Sequence, residues 1–361
     1  MRILMFSLLP ALAAALAACG GIAVLETDPA GSSSTGTATD PTIGCEPHRA
    51  DCNGVASDGC EIDLATDAES CGTCGHGCQG GPCQSGLCQP VIVAAEQGYA
   101  YRLAATETSL YWTRDDGAVL RAKGGDPPEI LASGQNAPGD IAVDATHVYW
   151  ANVGDGTIVR APLDGGAVEI VVSGAGQPWS LAVSATTLSF IDHMTGDVRA
   201  ISLAGGSAPL TIATTPGASS IAMDAKQVYW TTLAFGSVFA APLGGGTTTM
   251  LVSDFGSPAD LALAGDRLVF GTITDTGVHA VPLGGGPTLP LTEAGGFGVA
   301  ADDHHVYFGM YDGRLARVPL GGGEPEVLGV GAATPTDIAL TEKTVYWSAA
   351  ASNGLILKVA K

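Results

Sequence analysis

One short run of residues returns seven times at a nearly fixed interval, and this period limits the fold more than anything else in the chain. It reads as a branched or aliphatic residue followed by aromatics: Leu110-Tyr111-Trp112, Val148-Tyr149-Trp150, Leu188-Ser189-Phe190, Val228-Tyr229-Trp230, Leu268-Val269-Phe270, Val306-Tyr307-Phe308 and Val345-Tyr346-Trp347. The copies stand 38 to 40 residues apart. Between them the patterning is of strand type, broken everywhere by Gly, Pro or turn clusters, with no helical spacing. A period near 40 built only from strands is the signature of a β-propeller.

One copy resolves into four strands. Strand A is expected over Asp140 to Val143, strand B carries Val148-Tyr149-Trp150, strand C covers Thr157 to Leu163, and strand D covers Val168 to Val172. Asp164-Gly165-Gly166 turns C into D, and equivalent glycines recur at Gly205-Gly206, Gly244 to Gly246, Gly284 to Gly286 and Gly321 to Gly323. Tight hairpins need positive φ, which glycine adopts without steric cost. A phosphate-binding loop would need a strand-to-helix setting and a Lys-Ser/Thr ending, and neither is present. The last copy ends after strand C, while Pro90 to Gly98 before the first copy matches a strand D. The N-terminal strand should therefore complete the last blade, giving an all-β, seven-bladed propeller closed without open edges.

The region ahead of the propeller divides into three. Residues 1–18 read as a signal segment: Arg2, then an apolar run too short to span a membrane comfortably. Residues 19–44 are rich in Ser, Thr, Gly, Pro and Asp, a flexible tether reaching on the order of 25 Å. Residues 45–89 hold Cys45, Cys52, Cys60, Cys71, Cys74, Cys78, Cys83 and Cys88, and the propeller occupies 90–361. Eight closely spaced cysteines in an exported chain indicate four disulfides, and spacing alone does not choose the pairing. Zinc at Cys71, Cys74, His76 and Cys78 is the alternative a reducing compartment would favour. Asp51, Asn53, Asp58, Glu61 and Asp63 suit Ca2+ by acid density, although the run does not fit an EF-hand loop.

The charge balance is strongly acidic, formally −21 with 36 Asp+Glu against 15 Lys+Arg. Loss of residues 1–18 removes only Arg2 and makes it one unit more negative. Nucleic acid and anionic lipid surfaces need basic partners, so this balance argues against both.

Three resemblances add expectations. Leu16-Ala17-Ala18-Cys19 resembles a bacterial lipobox, which implies cleavage before Cys19 and its acylation. With Gly20 following, it also implies an outer-membrane address. The stretch Asp51 to Cys78 is similar to Cys-rich, stalk-like repeats of exported bacterial proteins. Leu110 to Asp126 resembles the YWTD repeat, and Pro138 to Trp150 resembles NHL and streptogramin-lyase propellers. A count of seven sits closer to the lyase type than to the six-bladed YWTD type.

In propellers strand A lines the central channel, and the D–A and B–C loops share the face where ligands usually bind. Aligned copies give a channel column of Arg102, Asp140, Ser180, Ser220, Asp260, Gly298 and Asp337. The B–C loops add Asp115, Asp116, Asp155, Asp192, His193, Asp275 and Asp312, with Asn152 at the start of one loop. Such acids either brace neighbouring blades or hold a cation or cationic ligand. Trp179 occurs once, where other copies have Gly139, Ser219 or Ala259, and is the best single contact candidate. No Ser-His-Asp or Cys-His set can be assigned, and the column holds no Glu. The expectation is a monomeric, lipid-anchored, non-catalytic binding module for a protein, peptide or glycan. Its alternative is a metal-assisted lyase or hydrolase of the streptogramin-lyase or gluconolactonase type.

Overall fold

The computed structural model describes residues 45–361 apart from Ala56, Asp275, Thr276, Ala332 and 350–353, together with the side chain of Tyr101. The signal segment, Cys19 and the tether lie outside the described residues, as does Asp275.

The propeller is present as seven four-stranded antiparallel sheets. The second blade is representative: strand A is Pro138–Val143, B is His147–Asn152, C is Thr157–Pro162 and D is Glu169–Val172. The C–D hairpins turn through Gly165, Gly245, Gly285 and Gly322, at φ of 87°, 80°, 82° and 81°. In the last blade Pro335–Leu340, Thr344–Ala349 and Leu355–Ala360 are joined by Val91–Ala94 as the outermost strand. Ile92 pairs with Leu357 and Ala94 with Ile356, so the two ends of the propeller sequence close one sheet. The seven innermost strands contact one another in a complete ring.

The recurring aromatics build the core between blades. Successive strand residues point to opposite faces, so adjacent aromatics serve different neighbours. Trp150 packs with Tyr111 and Val119 of the preceding blade, while Tyr149 packs with Leu188 and Phe190 of the following one. Tyr229 and Trp230 divide in the same way, as do Tyr307 and Phe308. Trp112, Trp150, Trp230 and Trp347 are fully buried.

Strand A differs from its sequence reading. It begins two residues earlier, at Pro138, and carries a register shift between Pro138 and Ile141. The same irregularity recurs at the start of strand A in all seven blades. A bulge of this kind leaves a residue unpaired and re-aims its side chain.

Four disulfides form, Cys45–Cys60, Cys52–Cys74, Cys71–Cys83 and Cys78–Cys88, so these thiols are not zinc ligands. Such a framework marks a chain matured in an oxidising compartment. Its second half does not stand apart as a stalk. Cys71, Cys78, Cys83 and Cys88 share a buried cluster with Tyr307, Trp347 and Val359 of the last two blades. His76 fixes the contact, with Nδ1 2.8 Å from the Cys71 carbonyl and Nε2 2.8 Å from Lys361 O. No helix among the described residues is long and apolar enough to cross a membrane.

Candidate functional site

The bulges place the channel column at one end of the ring, where the D–A and B–C loops converge. Each aspartate of the column is bonded across a blade boundary. Asp140 accepts from Leu181 N at 2.7 Å and from Ser180 Oγ at 3.1 Å in the next blade. Asp260 accepts from Val299 N at 3.0 Å on one side and from Ser220 Oγ at 2.9 Å on the other. Asp337 accepts from Leu103 N and, at 3.2 Å, from Arg102 Nη1. Arg102 Nε lies 3.9 Å from Asp140, which links the first blade to both its neighbours. Gly298 occupies the column in the sixth blade because a Cβ there would meet the Thr336 carbonyl at 3.1 Å, and its φ is +54°.

These groups share one guanidinium in a low-dielectric ring. Burial, reinforced by Asp260 and Asp140 and opposed by Arg102, pushes the Asp337 carboxyl up to about 7. Burial also raises Asp140, against the pull of Arg102. Burial disfavours the Arg102 cation, but Asp337, Asp140 and Asp260 outweigh it and hold the guanidinium firmly charged.

Above this ring lies a cavity of about 410 Å³, lined by Arg102, Asp115, Pro138, Asp140, Val153 and Trp179 among others. Trp179 stands on the bulge of Pro178–Val183 and is 44% exposed. His193 packs on it, ring centroids 5.1 Å apart. The cavity therefore joins an apolar wall to two carboxylates and one paired guanidinium.

The other sequence-derived candidates sit differently. Asn152 ends strand B facing inward and is buried, its amide donating to Gln135 Oε1 at 3.0 Å and Thr157 Oγ1 at 3.2 Å. Asp192 is buried as well, accepting from Gln177 N and Met194 N at 3.1 Å and lying 3.4 Å from Arg199. Asp155 caps its own turn through Thr157. Among the described residues, the acids that gather oxygens within 4.8 Å are Asp51, Asp58 and Glu61, not the channel carboxylates. Glu61 Oε1 there accepts from Cys52 N and Asn53 N, and Asp51 from Gly54 N, cross-ties within the disulfide segment.

No family model matches the chain, and no curated protein sequence does. The solved structures it resembles are propellers. Virginiamycin B lyase from Staphylococcus aureus superposes with TM-score 0.64 at 12% identity, over 76% of this chain and 98% of that one. A streptogramin B lyase gives 0.63 at 10%, over 76% and 97%. BamB from Moraxella catarrhalis gives 0.50 at 14%, over 78% and 88%. At these identities the likeness is one of fold alone.

Sequence reasoning missed Tyr99, Met194, Phe235 and Tyr311, all exposed on D–A or B–C loops. The signal that singled out Trp179, a large residue breaking the repeat on the mouth face, would have found them too.

Proposed function

We infer that the chain is an exported binding module, held to the outer membrane through an acylated Cys19, whose ligand seats at the channel mouth. The observation that carries this reading is the cavity of about 410 Å³ with Trp179 in its wall, at the point where the channel ring opens. Concave sites with an apolar wall and a few converging polar groups are where ligands bind. The channel carboxylates that metal chemistry would need are engaged in structure: Asp140, Asp260 and Asp337 hold the backbone of the next blade. The tether and the lipobox support display from a membrane surface.

Photo-cross-linking in the producing cells tests this. A photoreactive side chain in place of Met194, on the mouth face, captures the ligand, and one in place of Lys226, on the opposite face, does not. Fractionation of the same cells after Cys19→Ala finds the protein released from the membrane pellet. Capture from position 226 alone contradicts the mouth site. Divalent-metal-dependent turnover of a captured small molecule replaces the binding role with the lyase one. Retention of the Cys19→Ala protein in the pellet overturns the anchor.

A further inference from the structure

We propose that the mouth face takes an extended segment of a partner protein bearing lysine or arginine, with one basic side chain entering the cavity beside Trp179. This rests on the reading that the cavity is a ligand site, and adds the chemistry of what fills it.

Three independent features of the face agree. The first is where the aromatics lie. Tyr99, Trp179, Phe235 and Tyr311 are 54%, 44%, 63% and 44% exposed, and all stand on or beside D–A and B–C loops of this face. Met194, 71% exposed, joins them. The large apolar residues exposed elsewhere on the propeller, such as Ile130, Ile170, Met250 and Val330, are aliphatic or Met and sit on outer strands.

The second is the distribution of charge. The arginines on this face are already ion-paired: Arg102 with Asp337, Arg114 with Asp116, Arg199 with Asp192 and Asp197, and Arg314 with Asp312. Glu96, Asp115, Asp254 and Glu293 stand on the same loops and make no ion pair among the described residues. The five lysines, Lys123, Lys226, Lys343, Lys358 and Lys361, all lie off these loops. The face is thus a negative surface whose own cations are spent, which draws a cationic partner and repels an anionic one.

The third is the shape and chemistry of the cavity. Pro138, Val153 and Trp179 offer an apolar wall, and Asp115 supplies the acid, since Asp140 is already taken up by Leu181 N, Ser180 Oγ and Arg102. A lysine or arginine side chain is a methylene stem with a charged tip, and it fits such a pocket end to end. Tryptophan is also the strongest aromatic partner for a cation. Arg102 does not oppose this, because Asp337 and Asp140 already hold its charge. A neutral oligosaccharide would stack on the aromatics and donate hydroxyl hydrogen bonds to the acids, but would leave their charge unbalanced.

The test titrates the full exported chain, solubilised in detergent, with three probes at low and moderate salt. These are an alanine-spaced lysine peptide, the same peptide with glutamate, and cellohexaose, followed by calorimetry. The lysine peptide binds, with affinity falling as salt rises, and the glutamate peptide does not. Asp115→Asn and Trp179→Ala each weaken binding by about tenfold or more, while Trp179→Phe keeps most of it. Lysine-peptide binding that ignores both Asp115→Asn and Trp179→Ala overturns the proposal, as does no binding at all. Trp179-dependent binding of cellohexaose without the lysine peptide also overturns it, yet leaves the mouth as the binding face. Cross-linking from position 194 judges that face separately.

Discussion

The clearest consequence at the scale of single residues comes from Asp337. A free aspartate titrates near 3.9, and this one is pushed up to about 7, chiefly by burial. The native state therefore holds its proton more tightly than the unfolded chain. The stability this confers is full below the unfolded value and is lost as pH rises through about 7. Urea unfolding at pH 5 and pH 8 measures it. Wild type loses stability between the two relative to Asp337→Asn, whose side chain cannot ionise. Parallel behaviour of the two proteins contradicts the assignment. Residue identity picked out several side chains of this candidate site but not their geometry. Trp179 was visible because it breaks a repeat. Asn152 and Asp192 read as loop contacts because their neighbours are turn residues, yet strand alternation points both inward. Both lie in a strand B that runs further than its aromatics suggest.

Among the elements, the closing strand and the strand-A bulge carry the most weight. Closure was legible because Pro90 to Gly98 has the pattern of a strand D with no blade of its own. The bulge was not, since it lies in pairing register rather than residue type, and it is the bulge that turns the channel column. Disulfide pairing was equally hidden, because spacing does not fix which thiols meet in space. The docking of Cys71 to Cys88 on the last blades depends on contacts far apart in sequence, such as His76 with Lys361. Replacing Val91–Ala94 by Gly-Ser residues, with every cysteine kept, leaves the last sheet three-stranded and its outer edge open. Melting should then fall by on the order of 10 °C, with a rise in aggregation. An unchanged melting curve contradicts closure by this strand.

For the molecule as a whole, the repeat supplies a scaffold and the departures from it supply character. Seven similar blades give a ring whose two faces differ. Lys226 and Lys343 sit in A–B turns, while exposed aromatics and unpaired acids gather at the other end. The acidic balance of the sequence is visible from composition, but that charge and aromatics coincide on one face is not, because that follows only from folding the loops together. The central claim is that this face is where the protein binds. Hydrogen exchange of the full exported chain, with and without a saturating lysine peptide, tests it directly. Protection is expected in the loops around Gln97 to Gly98, Gln135 to Ala137, Gly176 to Gln177 and His193 to Gly196. Protection confined to the A–B turns or the outer strands would contradict it.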